Sequence, residues 1–214
     1  MNKTLIIGAS GKIGKMLATR LHDSGKPVVA MVRTGNKAQE FVNLGIDTAV
    51  GNLEENFESV FNDCDRVVFS AGSGAGTSAD KTLQIDLWGA CRAINLAKEN
   101  NISHFIMVSS RGADNPDQGP KAIKPYLIAK HFADNHLIAS GLNYTILRPG
   151  RLLDVAGTGL IQTNRPNNPD KQVISRDDTA SAICYCLSEP QTIGKTYEIY
   201  QGDIPLGIAL SSDS

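Results

Sequence analysis

Tyr126 and Lys130 stand four residues apart in the segment PYLIAKHF, at a spacing that could support proton transfer. On a helix, residues four apart share a face, so the phenol and the ammonium could meet at one point. A nearby ammonium favours phenolate over phenol and lowers the tyrosine pKa, which would let Tyr126 exchange a proton with a substrate carbonyl near neutral pH. The alternative is a tyrosine that packs at the rim of a pocket.

Two hydroxyls are predicted to lie at the same place. Ser109 and Ser110 follow the apolar run HFIMV, which is typical of a buried strand, and residues 126–140 are predicted to form a helix that ends at Gly141. Hydroxyls at the carboxyl end of that strand would face the start of the helix that carries Tyr126. In the alternative interpretation, the two serines only cap the loop that follows the strand.

Three glycines with a spacing of three residues, Gly8, Gly11 and Gly14, follow the apolar run LII and precede apolar residues at helical spacing. At such a strand-to-helix turn, the absence of side chains lets a phosphate approach the backbone amides at the helix start. The pattern therefore predicts a dinucleotide site. The alternative is a tight turn that binds nothing. The other predicted contacts in this loop are Ser10, Lys12 and Ile13.

The second predicted strand, KPVVAMVR, ends at Arg33 rather than at an acid. An acid at this place would favour the free 2'-hydroxyl of NAD, whereas a guanidinium can bind the oxygens of a 2'-phosphate. We therefore predict NADP as the cofactor, with Lys12, Asn36 and Lys37 as secondary contacts. In the alternative, Arg33 is a solvated charge at the end of a strand.

Strands and helices alternate along the chain. Strands are predicted near residues 5–7, 27–32, 48–50, 66–70, 104–109, 144–147 and 196–200, and helices near 37–44, 54–61, 83–97, 126–140 and 177–188, the last begun by an Asp cap. This alternation predicts an α/β fold, a Rossmann-like doubly wound parallel sheet in a single domain of residues 1–214. Ligands of such sheets bind outside the carboxyl ends of the strands.

Two regions interrupt the alternation. Residues 112–125 contain three prolines and are predicted to be irregular, as is the tail 211–214. Residues 151–171 form a loop-rich insertion at the carboxyl edge of the sheet, and we expect it, with the C-terminal part, to be a small segment that covers the substrate.

The bulk composition is that of a globular protein, with 214 residues, 41% hydrophobic residues and a net charge of −1. The charge argues against a nucleic-acid or acidic-membrane partner and leaves small molecules as ligands. No apolar run is long enough for a membrane span or a secretory signal, so we expect a cytoplasmic protein. The sequence does not decide between a monomer and a homodimer.

The cysteines and histidines predict no metal site. The cysteines are scattered, and the close pair Cys184 and Cys186 falls in an apolar helical run, so buried thiols are expected. The histidines show no ligand spacing either. The residues concerned are Cys64, Cys91, Cys184, Cys186, His22, His104, His131 and His136.

Taken together, the motifs resemble an atypical short-chain dehydrogenase/reductase of the NAD(P)-binding, NmrA-like or epimerase-like kind. The resemblance covers nearly the whole chain and implies that Asn52 and Leu53 lie beside the adenine, with Arg148, Pro149 and Gly150 near the nicotinamide. A second glycine loop, Ala71-Gly72-Ser73, follows the fourth strand and joins Ser109 among the predicted cofactor contacts. The motifs are GASGKIG, Arg33, Gly51-Asn52-Leu53, VSS, YLIAK and SGLNYTILRPGRLLD.

By the same matching, Ser110 would orient the substrate carbonyl, Tyr126 would be the acid and Lys130 would hold the nicotinamide ribose. Asp86 stands where the standard enzymes carry an asparagine that anchors a proton-relay water. The resemblance implies an NADPH-dependent oxidoreductase that reduces a small carbonyl, quinone or similar acceptor. The alternatives are a non-catalytic NADP(H)-binding redox sensor and a sugar-nucleotide epimerase, which is disfavoured because the chain after the sixth strand is short.

Overall fold

The computed structural model describes residues 3–74 and 76–211, and the strands form one large sheet and one small one. In the large sheet the parallel strands run in the order β3-β2-β1-β4-β5-β6-β10, which confirms the predicted doubly wound α/β fold. The order reverses between β1 and β4, where such sheets bind ligands. The strands are β1 (Thr4–Ile7), β2 (Val28–Val32), β3 (Asp47–Val50), β4 (Arg66–Phe69), β5 (His104–Val108), β6 (Tyr144–Pro149), β7 (Arg151–Leu153), β8 (Leu160–Gln162), β9 (Val173–Ser175), β10 (Lys195–Gln201) and β11 (Ile204–Pro205).

Helices cover both faces of the sheet. A π-helix, Thr82–Gly89, joins α3 to α4 where the sequence predicted one regular helix. None of the helices within the described residues is long and apolar enough to cross a membrane. The helices are α1 (Lys12–Asp23), α2 (Gly35–Val42), α3 (Ala79–Lys81), α4 (Ala90–Glu99), α5 (Lys124–Ala139), α6 (Arg176–Ser188) and α7 (Leu206–Ser211).

The core consists of two layers, one on each face of the sheet. Ile6 and Ile106 belong to the layer under α1 and α6, which includes Leu17. Leu5 and Phe105 belong to the opposite layer, under α4 and α5. Neighbouring residues of a strand point to opposite faces, and both faces are covered, so the strands are continuously apolar. This arrangement leaves the carboxyl ends of the strands as the open edge.

Two predicted helices differ from the structure. Within 54–61 only a 3₁₀ turn forms, at Glu58–Phe61. The predicted Asp cap of the last long helix is wrong, because Ser175 caps α6 and its Oγ accepts a hydrogen bond from the Asp178 amide at 2.8 Å. Serine is a preferred N-cap residue, and the Ser175 hydroxyl also donates to Asp178 Oδ2 at 2.8 Å.

The insertion 151–171 contains more structure than a loop. β7 pairs with β9 in parallel as a small second sheet, and β8 pairs antiparallel with β10 and β11 at the edge of the large sheet. Residues 112–125 contain two 3₁₀ turns before α5 begins. Ser211 ends α7, whereas residues 212–214 of the predicted irregular tail, and Ala75 of the second glycine loop, lie outside the described residues.

Candidate active site

The first glycine loop is packed so closely that two of its glycines admit no side chain. Gly8 has φ of +92°, and a Cβ on it would lie 2.5 Å from the amide nitrogen of Ala71. A Cβ on Gly14 would lie 2.4 Å from the carbonyl oxygen of Gly8. The loops after β1 and β4 therefore touch at the point where the strand order reverses, and the backbone itself forms the surface there.

The start of α1 is open to an anion. Gly11 caps the helix without a side-chain hydrogen bond, and no acidic residue lies in the first turn. The amides of a first helical turn have no partner within the helix and attract negative charge. Ser10, Gly11 and Lys12 are exposed beside these amides, whereas the Ile13 side chain packs in the core and leaves only its backbone for a ligand. This arrangement fits a dinucleotide pyrophosphate.

The cations predicted to bind at the adenosine ribose differ in whether they already have a partner within the protein. Lys12 binds Asp154 at 2.6 Å, and Lys37 binds Glu40 at 2.7 Å. Arg33 is exposed at the end of β2 and makes no hydrogen bond or ion pair with residues 3–74 or 76–211. Asn36 is exposed as well. Arg33 is therefore the cation that an additional phosphate could bind without displacing an internal partner.

The two candidates after β3 have different surroundings. The Asn52 side chain accepts a hydrogen bond from the Glu54 amide at 3.2 Å and so closes a turn. Asn52 is half-buried. Leu53 is buried in the core layer under α4 and supports Gly89 rather than lining open space. The role of both residues beside the adenine stays a prediction.

Asp86 lies in the π-helix, fully buried, against the second glycine loop. Its Oδ2 accepts a hydrogen bond from the Ser73 amide at 2.9 Å, while its Oδ1 has no hydrogen-bond partner in the described part of the chain. A Cβ on Gly72 would lie 3.0 Å from that Oδ1. Single π turns are frequent at functional sites. Here the π-helix places a carboxylate at the carboxyl end of β4, beside Ala71 and Ser73.

Tyr126 and Lys130 lie on α5, as the spacing predicted, but the expected lowering of the tyrosine pKa is wrong. Burial raises the pKa of the Tyr126 phenol, and the charge of Asp86 raises it further, while a hydrogen bond with Ser110 opposes them. Burial lowers the pKa of Lys130 itself. A sequence shows which residues share a helix face but not how much water reaches them. The phenol therefore keeps its proton at neutral pH.

One buried acid of this region, Asp134, was not predicted from the sequence. Asp134 is fully buried, and its Oδ2 accepts hydrogen bonds from Ser109 Oγ at 2.8 Å and Arg148 Nε at 2.9 Å. The hydroxyl of Ser109 is thus committed to Asp134 and not to a cap of the following loop. The signal that could have found Asp134 is the spacing of four that continues from Tyr126 through Lys130.

The remaining candidates line the junction of β5 and β6. The Ser110 hydroxyl donates to the Arg111 carbonyl at 3.1 Å, and the Arg111 amide donates to the Pro149 carbonyl at 3.1 Å. Gly150 is buried, and a Cβ on it would lie 2.6 Å from the Gln172 carbonyl oxygen. The turn after β6 therefore packs directly against Gln172, which joins the insertion to β9.

Carboxylates at the start of α6 hold the insertion in place. Asp177 accepts a hydrogen bond from the Gly157 amide at 2.8 Å, and Asp178 accepts one from the Gly159 amide at 2.8 Å. Asp154 joins Lys12 of the first glycine loop to Arg176 of α6. The insertion thus lies beside the first turn of α1.

The cysteines lie apart from this site. Cys64 and Cys186 are buried, and burial raises the pKa of the Cys64 thiol to about 11 and that of the Cys186 thiol to about 12. Cys91 and Cys184 are half-buried. Within residues 3–74 and 76–211, no three histidine, cysteine or acidic side chains are grouped to hold a metal ion.

Comparison with known proteins agrees with this geometry. Residues 8–190 match a family described as NAD(P)H-binding. A Bacillus subtilis protein named as an uncharacterized sugar epimerase is 39% identical over 97% of this chain and 98% of its own. A Bacillus halodurans structure, provisionally described as an NAD-dependent epimerase/dehydratase, has 42% identity and a TM-score of 0.93, with coverage of 98% and 99%.

An Escherichia coli structure described as an anaerobilin reductase has 25% identity and a TM-score of 0.77, and the match covers 95% of this chain and 98% of that one. The relatives thus include proteins named as epimerases and as reductases. The protein belongs to the NAD(P)H-binding family, an oxidoreductase-like and epimerase-like group of Rossmann proteins that is consistent with the atypical short-chain dehydrogenases/reductases.

Proposed function

We propose that the protein is an NADPH-dependent reductase of a small carbonyl, quinone or similar acceptor, in which Tyr126 donates the proton. The observation that carries the proposal is the position of Tyr126 on α5 beside Ser110, at the carboxyl end of β5, where burial raises the pKa of the phenol. A phenol with a raised pKa holds its proton until an acceptor oxygen gains negative charge. The Ser110 hydroxyl would orient that oxygen by turning away from the Arg111 carbonyl, to which it donates in this structure.

The neighbouring groups support the same assignment. NADPH supplies the hydride when bound, and the protein supplies binding, orientation and electrostatics. The amides at the start of α1 would bind the pyrophosphate, Lys130 would hold the nicotinamide ribose, and Asp86 would orient the reacting end of the site through Ser73. The further cofactor contacts proposed are Gly8, Ser10, Gly11, Lys12, Ile13, Gly14, Asn52, Leu53, Ala71, Gly72, Ser109, Arg148, Pro149 and Gly150.

NADPH is proposed over NADH because of Arg33. Its guanidinium is exposed at the end of β2 and has no internal partner within the described residues, whereas Lys37 is already paired with Glu40. Paired hydrogen bonds from a guanidinium suit a phosphate. The free cation would therefore favour the 2'-phosphate.

Titration of NADPH and NADH against the intrinsic fluorescence of the protein tests this preference. We expect NADPH to bind about tenfold more tightly, which corresponds to about 1.4 kcal/mol, and Arg33→Met to make the two affinities equal. Lys37→Met is the matched control and should keep the preference, because Glu40 already neutralises Lys37. Equal affinities in the wild type would refute the role of Arg33.

The insertion 151–171 is proposed to cover the substrate. Asp177 and Asp178 fix its backbone, and Asp154 ties it to Lys12 beside the cofactor loop. Residues 1–214 would then act as a single domain with this segment on its substrate side.

Oxidation of NADPH, followed by the absorbance of the reduced nicotinamide, tests the reductase proposal. The acceptors are quinones, flavins, aldehydes and anaerobilin, the last because a structural relative is described as its reductase. Tyr126→Phe should lower turnover by about 10²- to 10⁴-fold with NADPH affinity unchanged. Tyr144→Phe, at the opposite end of the sheet, should keep turnover. NADPH binding without oxidation by any acceptor would favour the redox sensor instead.

A sugar-nucleotide epimerase is the second candidate, favoured by the name of the Bacillus subtilis relative. An epimerase oxidises and reduces its substrate in turn, so it shows no net oxidation of NADPH. Incubation with sugar nucleotides, followed by NMR of the sugar protons, distinguishes the two. New epimer signals together with unchanged NADPH would replace the reductase proposal.

A further inference from the structure

The Lys130 side chain ends in an apolar site. The residue is 1% exposed, and the nearest acceptor of its Nζ is the Met107 sulfur at 3.8 Å, with the Phe69 ring centroid at 5.7 Å. Both are weak partners for a cation. A buried charge is costly unless an opposite charge compensates it. A charged Lys130 therefore needs compensation from groups other than these two contacts.

The charged groups around Lys130 come from three elements. The π-helix contributes Asp86, and α5 contributes Asp134 one helical turn further along. β6 contributes Arg148, which binds Asp134. Tyr126 on α5 is the other titratable neighbour and stays neutral, while β4 and β5 present only uncharged side chains here. Two carboxylates thus balance two cations.

Asp134 has the geometry of a fixed counter-charge. It is fully buried, and Ser109 and Arg148 both donate to its Oδ2, so its position is set from β5 and β6. Its Oδ1 has no hydrogen-bond partner among the described residues. A carboxylate that only cross-linked the two strands would not need an orphan oxygen in the interior.

We propose that Asp134 is a positioning residue which, together with Asp86, keeps Lys130 in its cationic form, while Ser109 and Arg148 hold the Asp134 carboxylate in place. The inference deepens the proposed function and rests on it, because there the Lys130 ammonium holds the nicotinamide ribose. The direction of the pKa shifts agrees. Burial lowers the pKa of Lys130, and both carboxylates oppose that effect.

Titration of Lys130 in the protein without cofactor tests the proposal directly. The ammonium is followed by NMR of ε-¹³C-labelled lysine, with the signal assigned through Lys130→Met. Asp134→Asn keeps the shape and both hydrogen-bond donors but removes the charge, and we expect the Lys130 midpoint to fall by about one to two pH units. An unchanged or raised midpoint would overturn the proposal.

Asp178→Asn is the matched control. Asp178 is also buried and accepts backbone hydrogen bonds, but it lies at the start of α6 and does not contribute to the pKa of Lys130. Its replacement should leave the Lys130 midpoint unchanged. A purely structural role of Asp134 would instead admit water in Asp134→Asn and raise the midpoint toward that of surface lysines.

A reciprocal measurement covers the case in which Asp134→Asn does not fold. Coupling between two titrating groups acts on both, so Lys130→Met should raise the midpoint of the Asp134 carboxyl in a ¹³C carboxyl titration. The pKa of Asp134 is already raised by burial, and Lys130 is among the groups that lower it. An unchanged Asp134 midpoint in Lys130→Met would refute the coupling.

The functional consequence has its own readout. NADPH affinity should weaken at alkaline pH as Lys130 loses its proton, and in Asp134→Asn this loss should begin about one to two pH units lower. The same alkaline limb in both proteins would contradict the positioning role. If the protein binds NADPH and shows these shifts but reduces no acceptor, only the reductase proposal fails.

Discussion

The two halves of the sheet contribute different kinds of groups to the candidate ligand site. On the side of β1 to β3, the site consists of bare backbone and the exposed Arg33, which has no partner among residues 3–74 and 76–211. On the side of β4 to β6, Asp86, Lys130 and Asp134 are buried with uncharged or oppositely charged neighbours. Phosphates can be bound by groups that stay in water, whereas proton-handling groups need a low-dielectric site in which the charges balance.

The largest effect on stability and cofactor binding is expected at Gly14, which packs against the backbone of the same glycine loop. Gly14→Ala would place a Cβ 2.4 Å from the Gly8 carbonyl oxygen. Because neither backbone segment can yield as a flexible side chain would, we expect a loss of about 3 kcal/mol in the free energy of unfolding, together with loss of NADPH binding. Urea unfolding and fluorescence titration measure the two effects.

Gly35→Ala is the control for this substitution. Gly35 begins α2, and a Cβ on it would meet no atom within 4 Å. Stability should stay the same or rise slightly, since alanine favours a helix. If Gly14→Ala behaved like Gly35→Ala, the contrast between a steric and an electrostatic half of the site would not hold.

A smaller effect on stability is expected from His104, at the amino end of β5. This buried histidine stays neutral, whereas Lys130 is proposed to stay charged. Burial and the nearby Arg66 lower the pKa of His104 from 6.5 to about 4. The Thr145 hydroxyl donates to the Thr192 carbonyl at 2.8 Å, so His104 Nε2 donates to Thr145. His104 thus contrasts with Lys130, which has two carboxylates near it.

The sign of the pH dependence follows from that pKa. Between pH 6.5 and about 4, the unfolded chain binds a proton at His104 that the folded chain does not bind. Stability due to His104 is therefore fully present above pH 6.5 and is lost as the pH falls toward 4, by about 2 to 3 kcal/mol. In His104→Gln, the free energy of unfolding, measured with urea, should fall correspondingly less over this pH range.

His136→Gln controls for the other acid effects. His136 lies partly exposed on α5 and bonds Asn95 at 2.8 Å. Its variant should follow the wild-type pH dependence. Identical curves for His104→Gln and the wild type would show that His104 does not titrate differently in the folded and unfolded states.

The smallest effects separate two adjacent serines. Ser109→Ala removes one of the two donors to the buried Asp134 and should cost about 1 to 2 kcal/mol of stability. Ser110→Ala removes a partly exposed hydroxyl beside Tyr126 and should change stability by less than about 0.5 kcal/mol, while turnover falls. Urea unfolding and NADPH oxidation measure the two quantities. Interchanged effects would reverse the roles assigned to these residues.

Much of the fold was predictable because it depends on local patterns. Continuous apolar runs such as LII and RVVF, separated by segments of helical period, require a parallel sheet covered on both faces. The capping of α6 and the π-helix were less accessible, since both depend on which backbone groups find partners after packing. The short strands of 151–171 form by pairing with β9 and β10, which are distant in sequence.

The candidate site was predictable as a set of positions but not as a set of charge states. The spacing of Tyr126 and Lys130 indicated a shared helix face, yet the direction of the tyrosine pKa shift was wrong. Burial and Asp86 raise that pKa, and neither can be inferred from spacing. Asp134 was overlooked because a lone acid on a helix resembles a solvated one until its burial is known.

The sequence by itself determined the order of strands and helices, the glycine loop before α1 and the basic residue after β2, because each depends on the chemistry of a few neighbouring residues. Only the tertiary structure decided which cations remain free, which serine is committed to Asp134, and which ionisable groups are buried together. Such properties depend on distances between segments far apart in the chain and on the exclusion of water, and both arise only when the layers pack.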